Sequence, residues 1–506
     1  MNKKNILIID PGGYKYSLTT ELLYNEFKKR GALCKKNTKI TKDTKIILFT
    51  FRSPWPNFLW ALQILKDVNI PILRKNRKDN HPLIICGGIA MNCPFPFYDF
   101  FDAAWIGDAT KEAFDLIAEI NEKNDVSRNK ALVRLYQCGF LAPEYQKGKV
   151  PIHIVRPYSM FAHVVSNQEL LLNRWWAKNK NCNTIMQIEV KRGCRRGCSF
   201  CVDFNNPPAS INSSELYQIL KNTIIKYPNL STVRLSFSTL LEEEFEDYID
   251  ITQKVKNECE ANFTIDIGST VPDQFSFNVA KRLKKLGQNS MIFAPEVCDK
   301  IINGINLRKE NKKWLTDKIL FNAIENGYKA GLKYLTLYNL TGFPKEKYSH
   351  VKAYAALVKR IVITFPQLKK ITISSGPVFP TISTPLENAA QISFHESKKR
   401  WLYLSDLLKD ESKIKTLWWL DIQENKLVPY KSNPEISYSR AYFYRAPKSM
   451  SKVLMHLVNK YPNHNDYLSI SIKQLKKYIK AQGIDITKML KGDMNIDSKL
   501  FKTYYH

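Results

Sequence analysis

The sequence predicts an α/β protein built as an N-terminal doubly wound parallel sheet domain over residues 1–125, a connector over 126–183, a partial (β/α)6 TIM-like barrel over 184–380 and a mostly helical C-terminal domain over 381–506. Three observations predict it. Short apolar runs alternate with stretches of helical period, first up to residue 125 and again from 184, as strand–helix units of parallel sheets require. Glycine and proline clusters punctuate the junctions between them. Beyond residue 395 the apolar period is helical alone.

Taken in order, residues 5–10 read as a buried parallel strand, Pro11-Gly12-Gly13 as a turn and 17–30 as a helix. Residues 44–51 follow as a strand, 58–66 as a helix, 82–86 as a strand ending at Gly87-Gly88, 103–106 as a strand ending at Gly107-Asp108, and 110–120 as a helix. This is a flavodoxin-like or Rossmann-like sheet. Its ligand crevice lies at the carboxyl ends of the strands, where Gly12, Gly13, Gly87, Gly88 and Gly107 allow close backbone approach.

In the connector, residues 128–137 are amphipathic and 139–158 irregular, with Pro143, Pro151 and Pro157. Trp175 and Trp176 precede a Lys/Asn-rich turn, and packing of a linker helix is the ordinary use of such rings. From residue 184 the alternation resumes. Strands are expected at 184–190, 232–237, 263–268, 290–293, 334–340 and 370–374, and helices at 213–227, 242–261, 275–286, 314–327 and 348–364. The first of these helices opens on the cap signal Ser213-Ser214-Glu215. Such a barrel places its chemistry at the carboxyl ends of its strands. In the tail, residues 396–409, 448–460 and 471–482 have amphipathic spacing, and the tail as a whole contains Trp401, Trp418 and Trp419.

The chain of 506 residues is 44% hydrophobic and 12% aromatic, as folded proteins are. No run of about 18 apolar residues occurs, so no membrane span is expected. The apolar run Ile6-Leu7-Ile8-Ile9 is too short for a secretory signal, and a cytoplasmic location is expected. The net charge of +30, from 77 basic and 47 acidic residues, raises the question of a nucleic-acid partner. The excess is dispersed, through Lys28-Lys29-Arg30, Lys398-Lys399-Arg400 and the lysines of 473–480 among others, and solvated helix faces account for it equally well.

The chemistry is concentrated at the end of the first barrel strand. Cys194, Cys198 and Cys201 are spaced C-x3-C-x2-C, and the other seven of the ten cysteines are scattered singly. Scattered cysteines in a large intracellular chain are usually reduced core residues. A second cluster from Cys86, Cys93, Cys138 or Cys182 would need the fold to gather them. Three close thiolates hold one corner of a cubane iron–sulfur cluster and, without a fourth cysteine nearby, leave one iron open to a ligand. A three-cysteine zinc site or buried free thiols are the alternatives. No second cysteine pair and no C-x2-C with H-x3-5-H supports zinc.

With Phe200 just before the last cysteine, the motif resembles that of the radical S-adenosylmethionine (SAM) enzymes. The resemblance implies a 4Fe-4S cluster on the three cysteines and SAM chelated at the free iron. It also implies reductive cleavage to methionine and a 5′-deoxyadenosyl radical that abstracts hydrogen, with an electron donor such as flavodoxin or ferredoxin. Phe293-Ala294-Pro295-Glu296 resembles the family's Ile-Ala-Pro-Glu element, and Leu337 to Pro344 its Leu-Tyr-Phe-Met-Ile-Gly-Leu-Pro. On that basis Glu296 is expected to contact SAM or substrate, and Tyr338, Asn339 and Gly342 to line the adenosine side. Ser236 and Ser238, with Ser269 and Thr270, are weaker pocket candidates. As structural alternatives, Glu296 caps the next helix and Gly342 makes a turn.

Ile84-Ile85-Cys86-Gly87-Gly88, followed by Ile106-Gly107-Asp108, resembles the cobalamin-binding domain that precedes the radical barrel in one subgroup. Gly107-Asp108-Ala109-Thr110 departs from the subgroup's Ile-Gly-Glu-Gly-Glu, and Gly12 stands where the D-x-H-x-x-G histidine would ligate cobalt. Members of the subgroup commonly lack that histidine. The resemblance implies cobalamin-dependent methylation of an unactivated carbon. The alternatives are a cobalamin-free radical enzyme acting on RNA or a peptide, and a nucleic-acid-binding metalloprotein with a structural metal site. The substrate, whether small molecule, peptide or RNA, has no signature in the sequence.

Overall fold

The structure is a computed structural model that describes residues 4–12, 17–123, 126–154, 184–203, 206–418 and 434–492, with the backbone of 163–167 and 501–505. The chain forms two compact units. One comprises Met1–Ala162, Pro380–Ala390 and Asn433–His506, the other His163–Phe379 and Gln391–Ser432.

The first unit is organised on a five-stranded parallel sheet, β1 (Asn5–Ile9), β2 (Cys34–Lys36), β3 (Thr44–Thr50), β4 (Leu83–Gly87) and β5 (Ala103–Ala104), in the order β2-β1-β3-β4-β5. Ile6, Leu7, Ile8, Ile46 and Ile47 are fully buried, as continuous apolar strands covered on both faces must be. Helices α1 (Leu18–Lys29), α2 (Asn57–Asp67) and α3 (Lys111–Glu122) supply the cover. Ser17 caps α1 through the Thr20 amide, and Phe27 of α1 meets Phe114 of α3 edge-on at 5.2 Å. Strand β2 escapes sequence reading because Cys34-Lys35-Lys36 carries no apolar alternation.

After α4 (Arg128–Gln137), the stretch expected to be irregular contains β6 (Val150–Ile154). Its Pro151 is compatible with an outlying two-stranded ladder, where one missing donor is tolerated.

The second unit holds the βα repeat. Strand β7 (His163–Asn167) pairs antiparallel with β8 (Thr184–Cys194), as does β9 (Asn206–Ser210). Parallel to β8 run β10 (Thr232–Phe237) and β11 (Thr264–Ile267), with α5 (Ser213–Lys226) and α6 (Glu242–Glu258) as crossovers. A second parallel sheet contains β12 (Ser290–Glu296), β13 (Tyr334–Thr341), β14 (Lys370–Pro377) and β15 (Ile414–Trp418). Its helices are α7 (Phe277–Lys285), α8 (Leu307–Asn311), α9 (Asp317–Lys329), α10 (Tyr348–Thr364) and α11 (Phe394–Leu408). Just past β11, the Thr270 amide donates to Ile292 of β12 at 3.0 Å and links the sheets. The six expected strands are all present, and β15 adds a seventh in a stretch that carries no strand signal of its own.

The tail is shared between the units. Strand β15 and α11 belong to the barrel unit, whereas α12 (Pro434–Ser439), α13 (Met450–Lys460), α14 (Ile472–Ala481) and α15 (Ile486–Lys491) belong to the first. Lys66 of α2 donates to the Val458 carbonyl at 3.0 Å, Trp60 to that of His464 at 3.0 Å, and Tyr467 to Gln63 at 2.9 Å. Strand β16 (Phe501–Tyr505) pairs in parallel with β6. Among the described residues no helix is long and apolar enough to cross a membrane.

Candidate active site

The barrel unit separates polar from apolar side chains by strand register. Gln187 of β8, Arg234 of β10 and Asp266 of β11 lie side by side across their sheet, and Ser236 pairs with Glu189. Neighbours in a parallel ladder point to the same face, so these form one polar face. The other face carries the buried Met186, Ile188, Val233, Leu235, Ile265 and Ile267. Gln187 donates to Ser236 at 2.8 Å, and Arg234 stands 3.4 Å from Asp266. On the second sheet Tyr338 pairs with Ser374 and Thr336 with Thr372. Burial holds the Tyr338 hydroxyl above its ordinary pKa, with Arg234 opposing and Glu296 and Asp266 adding to the rise. Charges of the first sheet thus act on Tyr338 of the second, in the interior of the open barrel.

The three-cysteine loop emerges from the carboxyl end of β8 beside that interior. Cys194, Cys198 and Cys201 are each partly exposed. The Arg196 amide donates to Cys194 Sγ at 3.4 Å. Burial raises all three thiol pKa values, that of Cys201 to about 12, and Cys198 and Cys194 raise Cys201 further. Ionising three thiols in a half-buried loop takes a cationic centre to compensate them. In a cubane each thiolate binds a different iron, and three cysteines on one loop fit such a corner. Cys86 and Cys93 are buried separately, and Cys182 lies outside the described residues.

Residues with no motif of their own hold the loop in place. The Ser199 amide donates to Asn311 at 3.0 Å, and its hydroxyl bonds the Asn311 side chain. Arg196 binds Asp273 at 2.6 Å and lies 4.6 Å over the Trp314 ring. Lys312 is the hub, reaching the Ala294 carbonyl at 2.5 Å and Glu296 at 3.3 Å, with its ammonium 5.8 Å from the Phe200 ring centre. After burial, the largest influence on the Cys198 thiol is Lys312, which lowers its pKa. In the sequence Lys312 is one of many dispersed basic residues, indistinguishable from those of a solvated helix, and Arg196, Ser199, Asp273, Asn311 and Trp314 carry no functional signal there.

The expected site residues separate in space. Phe200 packs edge-on against Phe343 at 5.7 Å. Glu296 is buried at the end of β12 with φ +62°, a left-handed conformation that a non-glycine residue adopts only when its surroundings impose it. Asn339 is turned to a structural task. Its amide donates to the Glu296 carbonyl at 2.7 Å, while its oxygen accepts from Ser375 at 2.6 Å. Tyr338 and Asn339 are consecutive on a strand and so face opposite sides.

Gly342 has φ +94°, and a Cβ there would meet Ile392 at 2.5 Å. Its amide bonds Glu346, a buried carboxyl whose pKa burial pushes up to about 7 against the pull of Arg400. Ser238 donates to Asp203 at 3.1 Å, next to the cysteine loop. Ser269 is exposed and Thr270 buried at the sheet junction.

In the first unit, the close approach at two glycines is made by the chain itself. A Cβ on Gly88 would lie 2.6 Å from the Phe51 backbone, and one on Gly107 2.0 Å from the His153 backbone. Gly87 is under no such pressure, its added Cβ falling 3.6 Å from the Trp105 carbonyl. The Gly12 amide donates to Asp10 at 3.0 Å, and Gly13 lies outside the described residues.

A three-cysteine loop at the first strand of an open βα barrel, in a chain that also carries a doubly wound domain, defines the class. Residues 188–358 match the radical SAM superfamily, and residues 26–141 match the N-terminal domain of radical SAM proteins. The two matches together span more than half of the chain, which belongs to the radical SAM superfamily. An uncharacterized protein of Methanocaldococcus jannaschii is 23% identical over 420 residues, 81% of this chain and 84% of its own length. Among solved structures, the radical SAM methyltransferase TsrM from Kitasatospora setae, with tryptophan substrate and a SAM analog bound, matches 91% of this chain and 100% of its own. The TM-score is 0.54 at 11% identity, a likeness of fold.

Proposed function

We propose that the chain is a radical SAM enzyme whose Cys194, Cys198 and Cys201 hold a 4Fe-4S cluster, and that it methylates an unactivated carbon with the help of a corrinoid bound to its N-terminal domain. The observation that carries the reading is the position of the three partly exposed cysteines on one loop at the carboxyl end of β8, beside a polar barrel interior. When bound, the cluster supplies the electron that cleaves SAM to methionine and a 5′-deoxyadenosyl radical.

The chain's own residues orient and shield. Phe200 and Phe343 pack at the loop and limit water there. The Lys312–Glu296 pair, each side chain 8% exposed, fixes a carboxylate at the end of β12. Arg234 and Asp266 offer a cation and an anion side by side, which suits the carboxylate and ammonium groups of an amino-acid-like ligand. Tyr338 adds a protonated hydroxyl that donates to the same ligand. The corrinoid part is supported by the subgroup's N-terminal region and by the parallel sheet of the first unit. Gly12 offers cobalt no ligand, so binding there needs no protein ligand to the metal. A flavodoxin or ferredoxin is the proposed electron donor.

A second reading, in which the substrate is RNA, draws on one observation. On α14, Ile472, Leu475 and Ile479 are buried while Lys473, Lys476, Lys477 and Lys480 are exposed, and Lys460 sits 4.8 Å from the ring centre of Tyr478. Lysines with an adjacent aromatic suit a phosphate backbone and a base.

The test is product analysis. Anaerobically reconstituted protein, given SAM and a strong reductant, should release 5′-deoxyadenosine, and it should retain corrinoid when produced with a supply of it. Cleavage without corrinoid retention would move the reading to the cobalamin-free form. No cleavage by cluster-loaded protein would refute it.

A further inference from the structure

The order β2-β1-β3-β4-β5 reverses direction between β1 and β3. In doubly wound sheets ligands bind outside the carboxyl ends of the strands at such a switch point. Two charged side chains stand there. Asp10 directly follows β1, Arg52 follows β3 by two residues, and Arg52 Nε lies 3.8 Å from Asp10 Oδ2. The Asp10 side chain is 0% exposed and that of Arg52 40%.

The backbone holds Asp10 in place. Its amide donates to Asn37 Oδ1 at 2.9 Å, and its Oδ1 accepts the Gly12 amide at 3.0 Å. Among the described residues the buried Oδ2 has no hydrogen-bond partner. Leaving a buried carboxylate oxygen without a donor is costly, and such groups are rare in native structures unless they serve a site. Burial accordingly raises the Asp10 pKa to about 6, against the pull of Arg52 and Gly12.

We infer that the β1/β3 crevice is a cofactor site in which Asp10 Oδ2 accepts a hydrogen bond from an amide or hydroxyl of a phosphorylated cofactor, and Arg52 pairs with its phosphate. Two cofactors share that chemistry. A cobalamin carries peripheral carboxamides and a phosphodiester, and flavin mononucleotide carries ribityl hydroxyls and a phosphate. The inference rests on sheet order and on the Asp10–Arg52 pair, and it occupies the site of the corrinoid reading without requiring a corrinoid.

The experiment is equilibrium dialysis of the full chain against hydroxocobalamin and, separately, flavin mononucleotide, for the natural protein, Asp10→Asn and Arg52→Gln. The Gly12 amide keeps the carbonyl oxygen of an asparagine turned toward itself, so the NH2 would face the ligand's donor. Asp10→Asn should therefore weaken binding at least about tenfold, the size of a lost charged hydrogen bond, with unchanged circular dichroism and no loss of thermal stability. Arg52→Gln, on a partly exposed side chain, should weaken binding and flatten its salt dependence, which provides a readout should Asp10→Asn fail to fold.

Binding of hydroxocobalamin, weakened by both variants, supports the inference and the corrinoid reading together. Binding of flavin mononucleotide alone, weakened in the same way, supports the inference and overturns the corrinoid reading. A natural protein that binds hydroxocobalamin but loses nothing in the variants overturns the inference and leaves the corrinoid reading intact, whereas one that binds flavin mononucleotide alone and loses nothing overturns both. Binding of neither overturns both.

Discussion

Lys312 offers the sharpest perturbation of the barrel site. Its ammonium satisfies the Ala294 carbonyl and the Glu296 carboxylate, and both side chains of the ion pair are 8% exposed. Replacing it by methionine keeps the volume and removes the charge, stranding Glu296 in a buried position. Removing one partner of a buried pair costs about 3–5 kcal/mol, because the other charge is left uncompensated. In a unit of this size that lowers the unfolding midpoint by about 10 °C.

Glu296→Gln alone should cost about 1–3 kcal/mol, since the amide oxygen still accepts from the ammonium. The double variant should cost less than the sum, with a coupling of about 1–3 kcal/mol. The assay is thermal and urea unfolding of the cluster-free chain, followed by tryptophan fluorescence. Additivity of the two substitutions to within about 0.5 kcal/mol would refute the pairing of Lys312 with Glu296.

Further outcomes test other parts of the account. Gly107→Ala should destabilise the first unit by about 1–3 kcal/mol, because the new methyl meets the His153 backbone at φ +96°. Gly148→Ala, with open space around it, should change stability by less than about 0.5 kcal/mol. Asn339→Ala should cost the barrel about 2–3 kcal/mol in urea unfolding through its two buried hydrogen bonds. Tyr338→Phe should leave stability nearly unchanged and lower product formation.

Stability should also depend on pH through Asp10. Its folded pKa of about 6 lies above the ordinary 3.8, so both states are protonated below about pH 4 and the unfolded chain ionises first on raising the pH. Stability then falls between about pH 4 and pH 6 by about 3 kcal/mol, from the difference of about 2.2 at 1.36 kcal/mol per pH unit. Asp10→Asn should abolish that component in urea titrations at several pH values, and an unchanged slope would contradict it.

The parts of the fold that were readable in the sequence are those set by local pattern. Continuous apolar runs such as Ile6 to Ile9 mark strands covered on both faces, and the helical periods between them mark the crossovers. The three cysteines are readable because one loop carries all of them. What depends on distant pairing is not. Strand β6 finds its partner in β16, several hundred residues away, and Gly107 is glycine because the chain at His153 crosses it. The C-terminal helices give no local sign that they dock on Trp60, Gln63 and Lys66 of α2.

The site divides in the same way. Glu296 and Tyr338 stand out at strand ends, whereas Lys312, Asn311 and Trp314 become neighbours of the cysteine loop only through the long excursion between β12 and α9. Arg234 and Asp266 read as ordinary alternating strand residues until register sets them side by side. Asn339 shows the limit of motif reading, because a strand position one residue from Tyr338 necessarily faces the other way.

The central claim is that Cys194, Cys198 and Cys201 together hold a cluster with one iron open to SAM. Its most direct test is electron paramagnetic resonance of the anaerobically reconstituted, reduced protein with and without SAM, beside the triple Cys→Ser variant. The account predicts about four irons per chain, as a cubane requires, a reduced-cluster signal whose shape changes when SAM is added, and neither iron nor signal in the variant. Tightly bound zinc in place of iron, or a cluster signal that ignores SAM, would contradict it.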